Sequence, residues 1–229
     1  MRTMKAVLFV FLVGCTGEVH DSRESLVRRP AGGKADCTTL PPLVKTEDAF
    51  DKVVAFCNYL VEEIQGGGSS EPSEKIACLT TLKFQGKYAE TGRDLAANFK
   101  VVANCLRNRS PLFFETSEIA MRSLLDLAKK RETRDHLSAY ASCASHYGIY
   151  GTDAVSLISP DVISNRLVRL LDRESLSNRE KIGYEQQDKF LFQAKGEAVE
   201  FVFSKTPKGW QWTGLQIENA KLAKEIVIK

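Results

Sequence analysis

An α+β fold is predicted by the sequence: a helical N-terminal part, then a small antiparallel β-meander packed on a helix. Three observations predict it. From Phe50 to about residue 144, apolar residues recur at spacings of three and four, the period of helices with one buried face. From Phe190 onward they alternate instead, as in half-buried strands. Between these stretches, Gly148 and Gly151 interrupt the helical pattern.

The chain opens with two cations, Arg2 and Lys5, and eight unbroken apolar residues, 6–13. A bilayer span needs roughly 20 apolar residues, so this run fits the core of a secretory signal instead. It ends in Leu12-Val13-Gly14-Cys15. These four residues resemble the lipobox of bacterial lipoprotein signal peptides. The resemblance implies cleavage before Cys15, a diacylglyceryl group on its sulfur, and a palmitate-type acyl chain on the new amino terminus. Thr16 stands where an Asp would imply retention at the inner membrane. The implied address is therefore the cell envelope, at the outer membrane if the source has two membranes. The membrane is the first partner expected, reached through Cys15.

Residues 1–14 carry two of the 32 basic residues and none of the 29 acidic ones, so 30 face 29 in the remainder. A nucleic-acid binder needs a basic surplus or stripe, and neither is present. About 215 residues remain, enough for one ordinary domain or two small ones.

Five cysteines follow Cys15: Cys37, Cys57, Cys78, Cys105 and Cys143. An exported chain meets an oxidising compartment, so disulfides are expected. Two bridges among five cysteines allow about 15 connectivities, which the sequence does not choose between.

Residues 15–45 read as a lipid-anchored flexible tether, rich in charge, Gly and Pro, and poor in large apolar residues. Cys37 lies within it, so a bridge from Cys37 to the domain shortens the free part. Residues 46–150 read as mainly helical. Thr46 caps a helix through Ile64 whose inward face is Phe50, Val53, Val54, Cys57, Leu60, Val61 and Ile64. Gly66-Gly67-Gly68 stops it. It lacks the preceding strand and the Lys of a phosphate-binding loop. Pro72 opens a second helix. A third runs from about Tyr88 to Arg107, weakened by Gly92, and a fourth from about Ser117 to Lys130. Leu137, Tyr140, Ala141 and Ala144 predict a fifth, over about 134–147.

Residues 151–229 read as α+β, and residues 46–229 as a whole fit either one domain or two. A short helix is expected over 152–158. A second starts at Ser159-Pro160-Asp161 and buries Ile163, Leu167, Leu170 and Leu171. Residues 172–181 read as loop. Strands follow at 190–194 and 199–203, then at 210–213 after the Thr206-Pro207-Lys208-Gly209 turn. Leu215 and Ile217 sit on the opposite parity from Trp212, so a bulge near Gly214 is expected. Residues 222–229 fit a helix or a strand equally.

Candidate chemistry is sparse. Cys143 and His146 stand three apart, half of a zinc site, with no second pair at ligand spacing, so no metal and no cofactor is expected. His146 is expected at the surface. Asp135 and His136 are neighbours on the predicted fifth helix and point about 100° apart, which rules out a carboxylate–base pair. The remaining cluster is aromatic: Phe190, Phe192, Phe201, Phe203, Trp210 and Trp212. Such a face usually forms a core against a helix, and can alternatively line a pocket for a small apolar molecule or lipid. With the Gly209-Trp210 turn, residues 133–218 resemble nuclear-transport-factor-two-like α+β domains, in which a helix leads into a curved antiparallel sheet. No residue here matches a catalytic position of that family.

The functional expectation is an exported, anchored, non-enzymatic envelope protein that binds a partner. An apolar-ligand module on the aromatic face is the alternative, and a hydrolase without a recognisable motif is the third reading.

Overall fold

A computed structural model describes residues 37–227, apart from 67–71, 110–111, 131–136, 138, 151, 153–154, 159–161, 172–178 and 195–196. The signal segment 1–14, Cys15 and the tether through residue 36 therefore lie outside the described residues. So do Asp135, His136 and the Ser159-Pro160-Asp161 helix start.

The first layer is helical. β1 (Leu43–Val44) precedes α1 (Glu47–Gln65). The Thr46 hydroxyl accepts from the Ala49 amide at 3.4 Å, and Glu47 and Asp48 fill the first turn, where the helix dipole favours acids. All seven residues expected on the inward face of α1 are buried. α2 (Pro72–Thr81) packs on α1, β2 (Lys83–Phe84) pairs in parallel with β1, and α3 (Ala89–Asn108) lies across α2. Gly92 costs α3 helix propensity, and its packing shows why it is there. A Cβ at that position would sit 2.1 Å from the Phe84 ring.

Residues 37–45, expected as the end of the tether, are held against the helical layer. Cys37 and Cys78 lie at disulfide distance, with Cα atoms 5.8 Å apart. Leu40 and Val44 are buried, and the Lys83 amide donates to Pro42 O at 3.2 Å. One covalent link, two apolar side chains and a short ladder hold a segment that has too little apolar surface to fold alone.

The second layer is a six-stranded sheet in the order β4-β3-β8-β7-β6-β5. Its members are β3 (Ala141–Ile149), β4 (Val155–Ile158), β5 (Arg179–Gly183), β6 (Gln187–Ala194), β7 (Glu197–Thr206) and β8 (Gly209–Ile217). Neighbours are antiparallel except β3 and β8, which run parallel. The expected bulge is present. Phe203 faces Trp212 and Val202 faces Gly214, leaving Thr213 as the extra residue that returns Leu215 and Ile217 to the Trp212 face.

Three sequence expectations are corrected here. The helix expected at 134–147 is replaced from Ala141 by β3, the helix at 152–158 by β4, and part of the 172–181 loop by β5. Most of β3 is buried. A strand covered on both faces shows no alternation of polar and apolar residues, so the spacing of Ala141 and Ala144 with Leu137 ahead of them imitates a helix. Ser, Cys, His and Tyr are all weak helix formers, and tertiary pairing decides the outcome. The undecided C-terminal stretch is helical: α6 (Ala220–Ile226), with Asn219 accepting from the Leu222 amide at 2.9 Å.

A third layer covers the other face of the sheet. It contains α4 (Ser117–Lys129), α5 (Asn165–Leu171) and α6. One core lies between this layer and the sheet, and a second lies among α1–α3 and the β3–β4 edge. Cys143 and Cys105 lie at disulfide distance across the second core, with Cα atoms 5.5 Å apart. The remaining described cysteine, Cys57, is a buried thiol.

Intact-mass analysis of the Cys15→Ala chain without reductant is expected to show two bridges and one thiol, with Cys57 alkylated only after unfolding. Replacing Cys105 and Cys143 by Ala opens a loop of 38-residue separation. Chain entropy puts the loss near 4 kcal/mol, measurable by urea denaturation.

Candidate functional site

The aromatic face is filled. Phe190, Phe192, Phe201, Phe203 and Trp212 are all at most 2% exposed, and Trp210 is partly buried against the same core. Their rings pack on one another. Phe190–Phe203 and Phe192–Phe201 meet edge to face at 5.6 and 5.8 Å, and Phe201 lies 5.5 Å from Trp212. Met121, Leu124, Leu167, Leu170 and Ile226 from α4–α6 close the layer over them. In the structure this face is packed as core. The helices that sit on the sheet supply the apolar occupant.

Trp210 also serves the backbone. It exchanges two hydrogen bonds with Phe114, at 2.7 and 2.9 Å. This approach requires Gly209, whose φ is +126° and whose Cβ would lie 2.6 Å from Phe114 O.

His146 is buried rather than exposed. It lies on β3 opposite Leu157 and Gly214, and neither ring nitrogen has a hydrogen-bond partner among the described residues. Burial pushes its imidazole down to about 4, so it is neutral at physiological pH. Its sequence neighbour Cys143 is occupied by Cys105, which removes the half zinc site. Burial also drives the Cys57 thiol well above its ordinary value, so it carries no thiolate for nucleophilic work. Among the described residues, no group of three His, Cys, Asp or Glu side chains is placed to hold a metal ion.

One charged cluster spans three elements. At the start of α4 the Ser117 hydroxyl donates to the buried Asp188 carboxylate of β6. Lys181 of β5 reaches Asp188 at 3.0 Å and also contacts Glu118. The lysine bond holds the Glu118 carboxyl down at about 2. Ser117 is 1% exposed and its proton is committed, so this is a clasp between helix and sheet edge.

The concave feature that the sequence did not mark is a cleft of about 740 Å³ between the end of β3 and α6. Tyr147 and Ile149 form one wall; Ala220, Ala223, Lys224, Glu225 and Val227 form the other. Its signal was hidden because 141–149 looked helical and 222–229 was ambiguous. Glu225 is engaged by Arg166 at 3.4 Å, and Arg166 also reaches Glu197 at 2.8 Å. Lys224 makes no ion pair or hydrogen bond among the described residues.

No family model and no curated protein matches this chain. Two solved structures are similar to part of it. One is an NTF2-like protein with a cystatin-like fold from Novosphingobium aromaticivorans. It is 14% identical with a TM-score of 0.28, covering 45% of this chain and 82% of that one. The other is a domain of unknown function with a cystatin-like fold from Nostoc punctiforme. It is 12% identical with a TM-score of 0.28, covering 44% of this chain and 72% of that one.

Two outcomes follow from the geometry. Phe201→Ala removes a fully buried ring and is expected to cost about 3–5 kcal/mol in denaturant titrations. His146 gives an acid-sensitive stability. The unfolded imidazole takes a proton near pH 6.5, whereas the folded one resists protonation until about pH 4. Stability is therefore complete above pH 6.5 and falls through that window on acidification, by at most about 1.4 kcal/mol per pH unit. Urea midpoints from pH 4.5 to 7.5 should show this slope, and His146→Leu should flatten it.

Proposed function

We propose that this chain is an exported, lipid-anchored envelope protein that acts by binding rather than by catalysis. The observation that carries this reading is the sorting of its cysteines. Cys15 ends a full lipobox, Cys37–Cys78 and Cys105–Cys143 lie at bridging distance, and the odd cysteine, Cys57, is withdrawn into the core. A chain kept in a reducing compartment gains little from two well-placed pairs, whereas an exported one gains stability from them. The lipobox accounts for the sixth thiol. Several acyl chains, at about 0.8 kcal/mol per buried CH₂, make the anchoring durable.

Binding is favoured over chemistry by how the reactive groups are used. His146 is neutral and enclosed, Cys57 is a protonated core thiol, and the Ser117 hydroxyl is spent on Asp188. The alternative of an apolar-ligand module is placed at the cleft beside α6, a concave surface with a mainly apolar lining.

Mass spectrometry of protein extracted from its own envelope should find the mature chain starting at Cys15 and carrying acyl mass. Cys15→Ala should abolish that mass and release the protein from the membrane fraction. A wild-type N-terminus elsewhere, without acyl groups, would overturn the anchor.

A further inference from the structure

The geometry points to the cleft between β3 and α6 as a site for a single-chain anionic amphiphile, with a fatty-acid carboxylate as its simplest form and Lys224 as the head-group contact. This gives the binding reading above a ligand class, and it does not depend on the anchor at Cys15.

The first support is shape. The cleft holds about 740 Å³, within the roughly 300–1,000 Å³ typical of small-ligand sites. Ala220 and Ala223 present only methyl groups, so α6 leaves open what a Leu or Phe would fill. Ile149 and Val227 are partly buried apolar side chains that an acyl chain would cover.

The second support is charge. Two ionised side chains, Lys224 and Glu225, line the cleft. Glu225 is neutralised by Arg166, which is itself shared with Glu197. Lys224 is left uncompensated among the described residues, which favours an anion at that end. Tyr147 adds a hydroxyl whose partial burial raises it above its ordinary value, so it stays a hydrogen-bond donor at neutral pH. A free anion is favoured over a membrane surface because the cleft is concave and, among the described residues, is lined by one unpaired lysine rather than a basic patch.

The full chain carrying Cys15→Ala, prepared without detergent, is tested by equilibrium dialysis with radiolabelled laurate. One saturable equivalent is expected. Affinity should rise across decanoate, laurate and myristate, by up to about fourfold per added methylene. Lys224→Glu should weaken laurate at least tenfold while binding of dodecanol is much less affected. Ala220→Phe, at an exposed position, should block both ligands while circular dichroism stays unchanged. The proposal is overturned by the absence of saturable binding, by binding that ignores both substitutions, or by equal loss of dodecanol in Lys224→Glu. Lys224-dependent capture by phosphatidylglycerol vesicles in place of free laurate would also overturn it. Acylation at Cys15 is read separately, so either conclusion can fail alone.

Discussion

The structure depends on β3 being accepted into the sheet. This strand pairs antiparallel with β4 and parallel with β8, and its two faces serve different cores. Ala141, Tyr147 and Ile149 face the aromatic core, while Cys143 and Ala144 face the helical one. Between them the register slips. Ala141 and His146 are five positions apart, but their partners Trp212 and Gly214 are only two apart. The slack is held by named bonds. The Ser145 hydroxyl donates to Ser142 O at 2.7 Å, Gln65 of α1 donates to Ala144 O at 3.1 Å, and Cys143 is joined to α3. A small-residue strand is needed here, because larger side chains would not fit beneath two layers at once.

This same constraint explains what was legible in the sequence. α1 and α3 were plain, because each has one wet face and one dry face, which amphipathic spacing reports directly. The bulge at Thr213 was legible because a slip of one residue changes the parity of every following side chain, and Leu215 and Ile217 carry that mark. β3 was illegible for the opposite reason. With both faces buried there is no polar phase, and Ala-Ser-Cys-Ala-Ser carries little propensity for either state. β5 was hidden by its charge, since an edge strand rich in Arg, Glu and Lys resembles a loop. The aromatic residues were found, but their role turned on how closely three helices seat above them, which depends on distant contacts. The cleft could not be seen until β3 was known to end beside α6.

Polar groups in this fold mostly serve architecture. The Ser117–Asp188–Lys181–Glu118 cluster places opposite charges between the start of α4 and the β5–β6 edge, which are far apart in sequence. Lys189 and Glu200 pair at 3.5 Å across β6 and β7. Because Asp188 and Glu200 are buried, a sheet that paired out of register would leave their charges uncompensated.

The link between Cys37 and Cys78 has a mechanical consequence. If the lipid is at Cys15, any pull from the membrane enters the domain at Cys37. Without the cross-link, that load would peel Leu40 and Val44 away and strip β1 from β2, because a short edge ladder opens one bond at a time. With it, force passes from Cys37 directly into α2, inside the helical layer. The leash is then fixed at the 21 residues between the two cysteines, roughly 70–80 Å at full stretch, whatever the tension. The second bridge continues the load path from α3 to β3. Together the two links join the start of the described chain, the helical layer and β3 covalently.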